Sequence, residues 1–203
     1  MEVKKLSEIR EPQRRRAVAI AGYVGDVSLA EMSLNDVAPS VAASALRALA
    51  RLEALTVQRL EQALQHPSPT VRRAAADLTA QRPEIPAEYL VTLLRDEDAL
   101  VVDMAAWACG ERPPNTLVVE ALAAVAIGHE EPLCREAAVA ALGALGEPSG
   151  LPAILIATND KPAVRRRAVL ALAPFEGPAV DEALATARLD RDWQVRQAAE
   201  DLG

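Results

Sequence analysis

Aromatic residues are nearly missing from this 203-residue chain: two Trp, two Tyr and one Phe make up 2% of it. Since 51% of its residues are hydrophobic, the core it can bury is aliphatic and alanine-rich, as close-packed helices require. Histidine is as scarce. His66 and His129 both fall in turns and read as solvent-exposed turn residues, not as ligands. The two cysteines, Cys109 and Cys134, have no zinc spacing. No Gly-rich phosphate loop and no Ser-His-Asp set is present, so neither a cofactor nor a metal is expected. No apolar run approaches the ~20 residues of a membrane span. The opening MEVKKLSEIREPQ is charged and lacks the apolar segment of a signal peptide, so a cytoplasmic location is expected. Positive charge is also short. Lys and Arg number 22 against 29 Asp and Glu, a formal charge of −7. Nucleic-acid affinity comes from neutralising phosphates, so this balance argues against a general nucleic-acid binder.

What is abundant is repetition. The stretch Lys161 to Ala173, KPAVRRRAVLALA, carries one helical apolar stripe through Val164, Ala168, Ala171, Leu172 and Phe175. Its first position recurs at Gln13, Val41, Val71, Val101, Cys134, Val164 and Val195, at spacings of 28, 30, 30, 33, 30 and 31 residues. The fifth position is alanine in every copy: Ala17, Ala45, Ala75, Ala105, Ala138, Ala168 and Ala199. The tenth is always small: Gly22, Ala50, Ala80, Gly110, Gly143 and Ala173. Small residues at fixed helical positions let neighbouring helices approach closely. A period of this length marks a solenoid, each unit burying its apolar face against its neighbours.

The pattern V-R-x-x-A-x-x-A-L-G, followed by a turn and a second apolar helix, resembles the HEAT-like repeat of the phycobilisome-lyase type. Val71-Arg72-Arg73-Ala74-Ala75 and Val164-Arg165-Arg166-Arg167-Ala168 match it, and Cys134 to Gly143 matches through the terminal glycine. The resemblance covers the whole chain. It implies an all-α fold, a right-handed α–α superhelix of about seven HEAT-like helical pairs forming a single domain over 1–203. It is specific for fold and weak for function, because such repeats serve scaffolds, lyases, hydroxylases and DNA-repair proteins alike.

Local signals divide the chain accordingly. Glu2 to Arg10 reads as a first short helix, and Pro12 opens the first repeat helix. Ser28 to Val37 reads as the next outer helix, with Ser28 as N-cap and Glu31 completing a capping box. Later prolines, including Pro83, Pro86 and the pair Pro113-Pro114, lie between helices, and no segment alternates as a strand would. Cys109 and Cys134 occupy the ninth and first positions and are expected as buried free thiols.

On each repeat helix, positions one, five, eight and twelve are expected to face the core. Positions three, four, seven and eleven lie opposite, on the face that lines the concave groove in the resembled family. The resulting candidate partner-binding residues are Arg47, Arg73, Asp77, Asp103, Met104, Trp107, Glu111, Glu136, Arg166 and Arg167. They form an acidic centre with basic flanks. Position seven otherwise holds Ala19, Arg47, Asp77, Ala140, Leu170 and Asp201, so the column does not demand the bulk of Trp107. A groove aromatic among charges is a candidate hot spot; the alternative packs Trp107 under the Pro113-Pro114 turn. Position two carries Arg14, Arg72, Arg135, Arg165 and Arg196, interrupted by Ala42 and Val102. Its regularity favours inter-repeat ion pairs with turn acids such as Asp98, Asp160 or Asp190 over anion binding.

The expected function is a non-catalytic scaffold that binds a protein or peptide partner along this groove. A phycobilin-lyase-like chromophore handler is the alternative that the resemblance implies, with the arginines near Trp107 accepting propionates. Resemblance to a DNA glycosylase would cast Trp107, Asp103 and Arg73 around a damaged base, against the acidic charge and aromatic poverty. Resemblance to a di-iron hydroxylase would require several His-Glu pairs, whereas His129-Glu130 stands alone before Pro132. At the C-terminal repeat, Val195, Ala199 and Leu202 are expected to be partly open, which would favour self-association through that end.

Overall fold

The computed structural model describes residues 10–202, and these residues are helical with no strand. The helix read over Glu2 to Arg10 lies almost wholly outside them. The described chain forms two compact units, residues 10–85 and 86–202.

In the first unit, α1 (Glu11–Val24), α3 (Pro39–Arg51) and α5 (Pro69–Thr79) are the repeat helices. The outer helices α2 (Val27–Met32) and α4 (Val57–Leu64) alternate with them. In the second unit, α7 (Ala99–Gly110), α9 (Pro132–Leu145), α11 (Pro162–Ala171) and α13 (Trp193–Glu200) are the repeat helices. Their outer partners are α6 (Ala87–Leu93), α8 (Thr116–Gly128), α10 (Leu151–Ala157) and α12 (Pro178–Ala187). Within each unit successive repeat helices pack on one another: α1 on α3 on α5, and α7 on α9 on α11 on α13.

Proline begins α3, α5, α9 and α11, where its missing N–H is unneeded and its fixed φ suits the first turn. Asp98 and Asn115 cap α7 and α8 by accepting backbone N–H groups. The capping box read at Ser28 and Glu31 is not formed. Asp26 caps α2 by accepting the Leu29 N–H at 2.9 Å, and Glu31 instead pairs with Arg59 at 2.7 Å.

Burial is wider than one stripe. Positions one and five are buried from the second copy on, but so are six and nine: Leu46 and Leu49, Ala76 and Thr79, Ala106 and Cys109, Val139 and Leu142, Val169 and Leu172. Each repeat helix is covered both by its own outer helix and by a neighbouring repeat helix, so a broader arc leaves water. Position twelve falls at or past the helix end and is half-buried at best, and Val24 is exposed there. The first copy also departs from expectation. Gln13 is exposed, and Arg14, Val18, Ala21 and Gly22 form the buried face of α1.

The tenth-position glycines mark the closest helix approaches. A Cβ on Gly143 would lie 2.7 Å from the Ala171 Cα, and one on Gly22 would lie 2.9 Å from the Ala48 Cα. The last helix also differs from expectation. Val195 and Ala199 are buried with Val169, Ala187 and Ala198, because their stripe points back toward the preceding repeat, whereas Leu202 is partly open as expected. The exposed apolar residues near that end are Leu189 and Trp193.

Candidate functional site

The position-two arginines build the turns. Arg14 donates from Nε and Nη2 to both oxygens of Asp36 at 2.8 Å. Arg135 does the same to Asp160 at 2.6 and 2.7 Å, and Arg165 to Asp190 at 2.8 and 2.7 Å. Each arginine thus reaches the turn that opens the following repeat. Arg135 and Arg165 also tie their own turns, donating from Nη1 to the carbonyls of His129 and Asp160 at 2.7 and 2.9 Å. The guanidinium hydrogen bonds hold Asp36, Asp160 and Asp190 below the ordinary carboxylate range; burial opposes this and backbone N–H donors reinforce it. These are the structural ion pairs read from the sequence, with Asp98 serving as a helix cap instead.

The same column contains an exchange that was not read from the sequence. Asp36 and Asp190 accept the backbone N–H two residues on, from Ala38 and Asp192. His66 and His129 do this with Nδ1, accepting from Ser68 at 3.0 Å and Glu131 at 3.1 Å. These two turns are the ones that follow Ala42 and Val102, where the arginine is missing. A carboxylate there would face an apolar side chain in place of the chelating arginine, with only the turn's own Arg72 or Arg135 nearby, whereas the imidazole Nδ1 accepts the same N–H. The pairing of Ala42 with His66 and of Val102 with His129 was legible in the aligned repeats. Both histidines are half-buried turn acceptors.

On the opposite face of the second unit, α7, α9 and α11 enclose an open cavity of about 340 Å³. Trp107 lines it and is 44% exposed, so its ring is not buried under the Pro113-Pro114 turn. The cavity exists because positions four, seven and eleven of α9 are Ala137, Ala140 and Ala144, which leave empty the space beside the Trp107 ring. Leu133 adds an apolar edge, and Asp103, Glu111, Glu136 and Arg167 supply the polar rim. Arg167 Nη2 lies 3.5 Å from Glu136 Oε1, and its Nε is buried without an acceptor. Beneath the cavity, burial pushes the Cys134 thiol up to about 11, with Asp103 and Glu131 adding negative field. Burial likewise pushes Cys109 up to about 12. Both are free and buried, as expected from their positions.

Five of the ten candidate residues therefore meet: Asp103, Trp107, Glu111, Glu136 and Arg167. Met104 and Arg166 are half-buried and do not line the cavity. Arg47, Arg73 and Asp77 belong to the first unit, where Arg47 pairs with Asp77 at 3.6 Å and Arg73 is exposed. Leu133 was missed. Its signal was an exposed leucine one position ahead of the stripe, a column otherwise held by Pro12, Ser40, Thr70, Leu100, Ala163 and Gln194.

A family model for HEAT repeats matches residues 87–161 and 119–202, more than half of the chain. The chain belongs to the HEAT repeat family. Among solved structures, the HEAT repeats are similar to the Escherichia coli protein YibA, with 15% identity and a TM-score of 0.62 over 97% of this chain and 70% of that one. They are similar to a designed armadillo repeat protein in complex with the peptide (KR)4, with 19% identity and a TM-score of 0.61 over 87% and 98%. Human deoxyhypusine hydroxylase is similar at 20% identity and a TM-score of 0.51 over 96% and 79%. These likenesses establish an α solenoid, a repeat scaffold. No curated protein matches the chain. Among the described residues no group of three or more His, Cys, Asp or Glu could hold a metal ion. No described helix is long and apolar enough to cross a membrane.

Proposed function

We propose that this HEAT-repeat scaffold is a non-catalytic binding module that takes a peptide segment of a partner protein against the α7–α9–α11 face. The observation that carries the reading is the open cavity beside Trp107. A half-exposed tryptophan in a hollow with an apolar floor and a charged rim has the anatomy of an interface hot spot. The designed armadillo repeat protein in complex with the peptide (KR)4 supports the reading, since its fold is similar.

A peptide array of diverse sequences, probed with wild type and with Trp107→Ala, tests it. The expected outcome is a set of peptides retained by wild type and lost by the variant, whose circular dichroism matches wild type. Equal retention by both proteins, or retention by neither, would overturn the reading.

A further inference from the structure

The chemistry of the partner is narrowed by the rim of the cavity. Glu111 and Glu136 share the rim with one guanidinium, that of Arg167, among the described residues that line the hollow. Arg167 is a poor match for this acidity. Its contact with Glu136 is long at 3.5 Å, and both side chains are partly exposed. Glu111 makes no ion pair among the described residues.

The first unit shows what the same face does when it supplies its own cation. There the Arg51 guanidinium stacks over the Tyr23 ring, 4.2 Å from its centroid. These two residues occupy position eleven of consecutive copies, so the contact runs between α1 and α3 along the face. Trp107 has no such cation over it among the described residues, and Ala140 and Ala144 leave room for one.

Resting on the peptide-binding reading, we propose that the cavity takes an arginine side chain of a basic, extended peptide, its guanidinium stacked on Trp107 and paired with Glu111 and Glu136. Tryptophan offers the strongest ring quadrupole of the aromatic side chains. Guanidinium is planar and weakly hydrated, so it stacks and forks to carboxylates better than an ammonium does. A hollow of about 340 Å³ suits one side chain and its flanking backbone rather than a folded surface. Arg167 is then an internal competitor for Glu136.

The test is fluorescence anisotropy with a labelled octapeptide of alternating arginine and serine, beside lysine, citrulline and glutamate versions. The arginine peptide is expected to bind tightest, with the citrulline version weaker by about tenfold or more because it keeps the shape and loses the charge. Trp107→Ala should weaken the arginine peptide by about tenfold. Glu111→Gln should weaken it several-fold, and Arg167→Ala should tighten it. A purely structural Arg167 would not yield tightening. Equal binding of the arginine and citrulline peptides, both lost with Trp107→Ala, would overturn the charge inference and leave the peptide-binding reading standing. Failure of all four peptides would overturn the inference, and the diverse array then judges the broader reading separately.

Discussion

The two units carry the same repeat face and finish it differently. In residues 10–85 the face supplies its own partners: Arg51 stacks on one side of Tyr23, whose ring otherwise stays exposed, and Arg47 reaches Asp77. In residues 86–202 alanines at positions four, seven and eleven of α9 leave Trp107 beside a hollow with an acidic rim. The backbone arrangement is repeated, so side-chain size and charge at a few outward positions decide whether a repeat satisfies itself or stays open to a partner. Long charged side chains are the fillers in the first unit.

The strongest way to break this contrast is to make the second unit resemble the first. Ala140→Arg places a cation of the chain's own beside Trp107 and should reduce arginine-peptide binding by about tenfold or more, measured by anisotropy. Tyr23→Ala, the matching change in the first unit, should leave that binding unchanged.

A second contrast concerns the close helix contacts that both units share. Gly143→Ala and Gly22→Ala force a Cβ into the Ala171 and Ala48 backbones and should each lower stability by about 1–3 kcal/mol in urea unfolding. A Cβ added at Gly128 would meet nothing within 4 Å, so Gly128→Ala should be neutral or slightly stabilising. A loss at Gly128 as large as that at Gly143 would remove close approach as the explanation.

The turn ladder gives a subtler comparison. His66→Asp alone should destabilise the first unit by about 1–2 kcal/mol, because the new carboxylate faces Ala42. Adding Ala42→Arg should recover most of that loss, with a coupling of about 1 kcal/mol in a double-mutant cycle. Additive effects would separate the histidine from the missing arginine. In the native ladder, Asp36, Asp160 and Asp190 ionise more readily when folded than when unfolded. Their contribution is therefore fully present above the unfolded value of about 3.9 and is lost as pH falls through the lower folded values. Urea midpoints should hold from neutrality to about pH 4 and drop below it, less steeply in Asp160→Asn.

The smallest effect belongs to the thiols. Burial raises Cys109 to about 12 and Cys134 to about 11, so neither should be alkylated in the folded protein at about pH 8. Mass spectrometry should find both modified once urea is added, and rapid native labelling at Cys134 would show that α9 opens locally.

Much of the fold was legible because it is periodic. Alanine at every fifth position, small residues at every tenth and proline ahead of most repeat helices each have one dominant physical role, and from the second copy on the structure gives them that role. The arginine column was legible for the same reason: five of the seven aligned copies carry the donor, and Asp160 and Asp190 stand in the turns that answer Arg135 and Arg165. The candidate face was legible only in part. Asp103, Trp107, Glu111, Glu136 and Arg167 converge, whereas Met104 and Arg166 share the column pattern without reaching the cavity. Column membership states which way a residue points, but not how far its side chain extends or what its neighbours leave empty.

The sequence by itself determined the helical repeat, the residues that pack it and the acidic balance, since each follows from local pattern and composition. Tertiary structure alone decided that position six joins the core and that Val195 and Ala199 are covered. It also decided that a hollow opens where Ala137, Ala140 and Ala144 meet Trp107. Burial and empty volume are properties of side chains from several helices at once, and no single stretch of the chain contains them.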